Sequence, residues 1–402
     1  MARLPRPVRR LGLISFAEDL SSGIVHPILP LFVTGPLGAP AWAIGVIEGV
    51  AEFVASVVKG WAGWHSDYSG LRTGKIRWGY GLPILGKALL AASFSWPGAL
   101  LGRTAERLGK GFRAGPRDAL LSDLVDHPDR GRAFGFHRAM DTAGAFLGGS
   151  LGAATLWWIL ESRPAGDPGD GNAERIVIGV AALLGIWAFA LTFLVGESPR
   201  RPVRPAPRPV PIREALRAVP RPFRLAMLGL ALFYLGSASD AYLVLRAREM
   251  GLTAVESIFA YSTSFLFAGL VGYPAGRLAD RLSPRLVASA GLVLFAIAYF
   301  GFAFAPPWAV WVCFALYGIS MSVFDAAATS LLAGLVPAES RATALGLSHM
   351  ALGLAGLVGY VGAGLLWTVA GPPMLFAIGA ASALAAIPVL AASAGPSARA
   401  TA

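Results

Sequence analysis

From Leu286 to Ala305 the chain runs for 20 residues without a charged side chain. A run of about 18 or more apolar residues is long enough to cross the ~30 Å hydrocarbon layer of a bilayer as one helix. Such runs recur along the chain, separated by gaps in which charges collect, and this pattern excludes most soluble folds. Length alone, at 402 residues, would suggest two or three soluble domains. The apolar runs instead predict an all-α membrane protein of twelve transmembrane helices. The spans read Leu11–Val33, Ala41–Trp64, Trp78–Trp96, Gly98–Pro116, Ala133–Leu160, Ile176–Val195, Leu225–Leu245, Val255–Tyr273, Leu286–Ala305, Trp308–Leu335, Ala342–Val369 and Met374–Leu390. The basic start resembles a signal peptide, but its apolar run continues through Glu18 and Asp19 with no small-residue cleavage site. It is read as a retained first span.

A net charge of +11 could signal nucleic acid. The charges lie mostly between apolar runs, as in loops of a membrane protein, so no nucleic-acid partner is expected and the lipid bilayer is. Arg3, Arg6, Arg9 and Arg10 precede the first span, Arg72, Lys75 and Arg77 follow the second, and an arginine-rich stretch follows the sixth. Alternating spans put all of these on one side. The positive-inside rule makes that side cytoplasmic, with both termini there, in a bacterial inner membrane.

The Pro/Arg-rich stretch divides the chain into an N-terminal bundle (1–196), a cytoplasmic linker (197–222) with a short helix near Ile212 to Ala218, and a C-terminal bundle (223–402). The halves look like a repeat. Gly63, Asp67 and Arg72 recur as Gly276, Asp280 and Arg285 at an offset of 213, which Gly38 and Gly251 share. "LGAATLW" and "VGAGLLW" match at an offset of 210. Similar elements in the same order imply two pseudo-symmetric six-helix bundles.

The Gly-x-x-x-Asp-x-x-Gly-x-Arg loop after span two, its partial copy after span eight and the central basic linker together resemble the major facilitator superfamily. Arg107 and Gly111 resemble that superfamily's Arg-x-x-x-Gly motif. "DTAGAFLGGSLGA" resembles its fifth-helix antiporter motif, with Gly149 where proline is expected and Ala153 at the last glycine. The resemblance implies the major facilitator fold and alternating access. It implies that helices one and four border a central cavity, and that helices one and seven face each other across it. It implies that Asp67 and Asp280, with Gly63, Arg72, Gly276 and Arg285, form gates rather than a solute site.

In span four, Arg103, Arg107 and Lys110 form one helical stripe, with Arg117 further along. Arg107 and Lys110 lie roughly 14–18 Å deep, where a charge needs a partner or a watery cavity. Asp19 sits at a comparable depth, so an Asp19–Lys110 or Asp19–Arg107 pair is expected. Cations and burial act in opposite senses on its protonation, which suits a proton switch. Ser22, Gly23 and His26 share the Asp19 face, while Glu18 is expected to point elsewhere, toward span five. His26 and Asp240 complete the proton-coupling candidates. Arg103, Arg107, Lys110, Asp141, Arg246 and Asp325 are the candidate solute-binding residues. Arg246 could equally end its helix at the headgroups. His137 lies one turn from Asp141 and reads as structural. Gly144, Gly148 and Gly152 form a close-packing face, and Glu52 is expected to pair with Lys87.

"SGLRTGK" lacks the first glycine of a phosphate loop, and neither HExxH nor CxxC occurs. Cys313, the single cysteine, excludes an internal disulfide and a Cys-based zinc site. No cofactor, metal or enzyme activity is expected. The expected function is proton-coupled secondary transport of a small organic solute by a monomer, as efflux by solute/proton antiport. The alternatives are uptake or exchange of an organic anion, and a non-transporting membrane sensor or scaffold.

Overall fold

A computed structural model describes residues 4–69, 71–125, 129–162, 171–197, 220–336 and 341–393. Most of the central linker, including the expected helix near Ile212, lies outside them. Among the described residues there is no β-strand, and the helices are α1 (Arg6–Thr34), α2 (Ala41–Ser69), α3 (Thr73–Ala91), α4 (Trp96–Asp123), α5 (Arg130–Glu161), α6 (Asn172–Leu191), α7 (Arg221–Gly236), α8 (Asp240–Glu249), α9 (Ala254–Arg281), α10 (Pro284–Phe304), α11 (Val310–Gly334), α12 (Arg341–Ala370) and α13 (Pro372–Ala392). Among the described residues, nine helical spans are long and apolar enough to cross a membrane on length and composition alone. Helices α1, α3 and α4, which carry Glu18, Asp19, Lys87 and the cation stripe, are not among them.

Span seven is not continuous. Residues Ser237, Ala238 and Ser239 separate α7 from α8, and the Ser239 hydroxyl accepts from the Ala241 amide. Serine side chains compete for backbone groups and favour caps over helix interiors. Span four is longer than the apolar pattern suggested, continuing through Pro116 to Asp123, because the charges that ended the run are carried inside the helix.

The repeat is visible in the packing. In the first half α3 packs on α4, α2 on α4, α1 on α5, α1 on α6 and α3 on α6. The second half repeats each pairing six spans on: α10 on α11, α9 on α11, α7 on α12, α7 on α13 and α10 on α13. The two seams between the halves, α2 with α12 and α5 with α9, exchange under the same operation. Gly38 and Gly251 both take positive φ, 59° and 100°, in the corresponding turns, which favours glycine at each.

Glycines set the close approaches. A Cβ at Gly148 would lie 2.1 Å from the Leu20 carbonyl oxygen and one at Gly144 2.5 Å from that of Phe16, so α1 and α5 touch backbone to backbone. Across the seam, a Cβ at Gly45 would lie 2.1 Å from the Tyr360 carbonyl oxygen. Tyr242 of α8 donates to the Ala41 carbonyl at 2.9 Å and its ring lies 5.4 Å from that of Trp367. These contacts close the side remote from the N-terminus. Toward the N-terminal side the halves meet at Arg138 and Asp325, 3.8 Å apart, whose side chains are 71% and 45% exposed.

The closed seam makes a prediction. Gly45→Val puts a branched side chain against backbone, and overpacking costs about 1–3 kcal/mol. A cysteine introduced at Tyr360 should then react faster with a polar maleimide from the remote side, because native Cys313 is buried and supplies little background. An unchanged labelling rate would mean that α2 and α12 do not seal that side.

Candidate functional site

Four helices carry the ionisable core of the first half, and its pairs are buried. The Arg103 guanidinium is 1% exposed. It donates to both Glu48 carboxylate oxygens, at 2.8 and 3.1 Å, and to Glu106 at 2.7 Å. This two-point fork on Glu48 is the geometry for which arginine is built. Lys87 is fully buried and donates to Glu18 at 3.2 Å and to Ser21 at 2.5 Å, while Ser22 donates to Glu18 at 3.0 Å. Arg113 donates to the Gly79 carbonyl at 3.1 Å, stacks 4.8 Å from the Tyr80 ring centre and lies 3.8 Å from Glu18.

Two sequence expectations change here. Glu18 does not face α5; it is the partner of Lys87. Glu52 therefore does not pair with Lys87 and lies 3.4 Å from Arg107, whose other contact is Glu48 at 3.5 Å. Depth along the spans made Glu52–Lys87 plausible, but the α1–α3–α6 packing brings Lys87 against α1 instead.

Between α1 and α4 lies a small polar pocket lined by Glu18, Asp19, Ser22, His26, Glu106, Arg107, Lys110 and Arg113. The sequence stripe and the Asp19 face do meet. Neither expected pair forms, however: among the described residues Asp19 and Lys110 make no ion pair or hydrogen bond, although both line the cavity. His26 also lines it without a hydrogen-bond partner among those residues.

The remaining candidates sit elsewhere. Asp240 is the first residue of α8, at the break in span seven. It accepts hydrogen bonds from Tyr261 at 3.0 Å and from Tyr317, and it is not among the cavity-lining residues. Arg246 donates to the Phe302 and Ala303 carbonyls at 2.7 and 3.1 Å and contacts Glu249 at 3.3 Å. It thus closes the C-terminal end of α10, where helix carbonyls lack internal partners, and does not face the cavity. Asp141 contacts His137 and Arg117 at 3.4 and 3.9 Å, and Asp325 meets Arg138 across the seam.

Of the expected gating residues, the Asp67 and Asp280 side chains lie outside the described ones. A Cβ added at Gly63 or at Gly276 would meet no atom within 4 Å, although one at Gly115 would lie 3.0 Å from the Gly63 Cα. Arg72 pairs with Asp123 at 2.7 Å with both side chains buried, and Arg285 lies in the first turn of α10. Glu197, which sequence reasoning missed, accepts from the Arg72 and Thr73 amides and the Thr73 hydroxyl at 2.9, 2.7 and 2.6 Å. It caps α3 from the start of the linker. Glu197→Ala should cost about 1 kcal/mol, as lost caps do. It should speed amide exchange at residues 72–76, and unchanged protection there would remove the cap from the account.

The family model of the Major Facilitator Superfamily matches residues 11–262 and 241–401. The chain belongs to this superfamily. An uncharacterized MFS-type transporter of Methanocaldococcus jannaschii is 31% identical over 388 residues, covering 95% of this chain and 93% of that protein. Multidrug resistance protein MdtH of Cronobacter sakazakii is 26% identical over 351 residues, covering 86% and 82%. Among solved structures, a POT family transporter in complex with a thioalcohol-conjugated peptide superposes with a TM-score of 0.78 at 14% identity, covering 99% and 97%. A D-xylose–proton symporter gives 0.74 at 15% identity, covering 95% of each chain. These structures share the fold. Within the superfamily frame, this transporter concentrates its buried ion pairs in the first half, whereas the second half offers Asp240 with its tyrosines and Asp325.

Proposed function

We propose that this transporter couples protons to the movement of a small organic solute by alternating access, exporting the solute in exchange for protons. One observation carries the reading. In a cavity whose Glu18, Glu106, Arg107 and Arg113 side chains are all engaged, Asp19 and Lys110 make no ion pair or hydrogen bond with any described residue. A carboxyl and an ammonium held near each other but unpaired can each exchange a partner during a cycle: Asp19 a proton, Lys110 a solute or the Asp19 carboxylate. The MdtH relatives, named for multidrug resistance, support export of an organic compound. With the arginine-rich side read as cytoplasmic, the closed seam faces outward and the cavity is served from inside.

The lining holds three carboxylates and three Lys or Arg side chains besides His26. That balance gives the organic-anion reading no surplus of positive charge to rest on.

The test uses the purified protein in weak buffer with a panel of organic cations, anions and neutral amphiphiles. Compounds that raise the melting temperature bind the native state. In an antiporter those compounds should release protons on binding, and Lys110→Ala should change which compounds bind. Binding with proton uptake, or with no proton change, would overturn antiport.

A further inference from the structure

A second group of polar side chains lies against the Asp19 face, and the solute cavity does not use it. His137 is 4% exposed, and both of its ring nitrogens are engaged. Nδ1 lies 3.4 Å from Asp141 Oδ2, and Nε2 lies 2.8 Å from Ser15 Oγ. The Ser15 hydroxyl is shared further, with Tyr80 OH at 3.2 Å and Arg117 Nη1 at 3.2 Å. Arg117 in turn donates to Asp118 at 3.1 Å, a carboxylate 47% exposed. The group therefore runs from the interior toward water on the N-terminal side.

Its inner end reaches Asp19. Ser15 and Asp19 are one turn apart on α1, and His137, Asp141 and Gly144 share a face of α5. A Cβ at Gly144 would lie 3.2 Å from Asp19 Cβ, so this α5 face packs directly on the Asp19 turn. Asp141 Oδ1 is buried and accepts no hydrogen bond among the described residues. A buried carboxylate oxygen without a donor is costly unless a proton or a water serves it.

We propose that Asp141 and His137 form a proton-transfer station connecting Asp19 with water on the N-terminal side. The proposal rests on Asp19 being the coupling carboxyl. The transfer is balanced. Asp19 gives its proton to Asp141 Oδ1 through one water. As the Asp141 carboxyl turns, that proton is brought to the Oδ2 position and passes to His137 Nδ1. The ring releases its Nε2 proton to Ser15 Oγ, and the hydroxyl passes its own proton to water near Asp118. One proton enters and one leaves. The charged and titratable groups around the station are Asp19 on α1, Tyr80 on α3, Arg113, Arg117 and Asp118 on α4, and Arg138 on α5.

The test needs no solute. Full-length protein in detergent is subjected to a pH jump, and proton uptake is followed with the dye pyranine. Wild type should show a phase that Asp19→Asn abolishes. Persistence of every phase in Asp19→Asn would overturn the coupling reading and the station with it. Given an Asp19-dependent phase, His137→Gln should keep its amplitude and slow it by roughly 10²-fold, the scale of a lost acid–base group. An unchanged rate overturns the station alone. Because the buried ring also packs, Ser15→Ala is the second variant: it should slow the same phase, and Ser15→Thr should restore it. An unchanged rate in Ser15→Ala overturns the station as well, whatever the fate of the histidine variant.

Discussion

Arg103→Leu is expected to cost about 3–5 kcal/mol of stability, the usual penalty for removing one partner of a buried ion pair. The reason lies in what remains. Glu48 and Glu106 would lose the fork that engages them, leaving two buried carboxylates with only Arg107 near Glu48, at 3.5 Å. Lysine is no substitute, because an ammonium cannot bind both Glu48 oxygens and Glu106 in one plane. Thermal unfolding in detergent should show a large loss for Arg103→Leu, with partial recovery in Arg103→Leu combined with Glu48→Gln and Glu106→Gln. A single variant as stable as wild type would place Arg103 with the solute-binding cations rather than the scaffold.

Asp19→Asn is expected to give a folded protein that no longer responds to a proton gradient. The side chain makes no ion pair or hydrogen bond among the described residues, so the near-isosteric amide breaks none and the protein should still fold. Reconstituted vesicles with an imposed pH gradient should show solute flux at the gradient-free level, while exchange of labelled for unlabelled solute continues. Gradient-driven flux at the wild-type rate would remove Asp19 from coupling. The contrast between the two arginine-stripe neighbours sharpens the case: Arg103 should matter to melting and Lys110 to ligand choice, although both sit on one helix.

Much of this was legible in the sequence because two signals were redundant. Apolar runs marked most of the spans, and the Gly63/Gly276 copy marked the repeat, which the matched helix pairings bear out. The glycine face of α5 was legible too, since four-residue spacing is a statement about one side of a helix. Which charge meets which was not. Glu18 and Asp19 are adjacent and point to different neighbours. Glu18 sits against Lys87 and Asp19 does not, and only the rotation of α1 against α3 and α5 decides that. Arg246 illustrates a second limit. A cation near a helix end serves whichever carbonyls the packing brings, and the end of α10 is 56 residues away in sequence. The break in span seven was hidden because three small residues disturb hydropathy little.

The seams between the halves have a consequence for speed. Inside the first half, sideways motion would pull apart forks such as Arg103–Glu48, so that bundle resists deformation. Along α2 with α12 and α5 with α9 the contacts are of another kind: glycine against carbonyl at Gly45, glycine against serine at Gly149 and Gly353, glycine against threonine at Gly269. Smooth surfaces of that sort exchange one contact for a similar one as they shift, with no charge to strip. Stiff bodies on a low-friction bearing turn over at a rate set by the few groups that must let go, and between these halves Arg138 and Asp325 are such a pair.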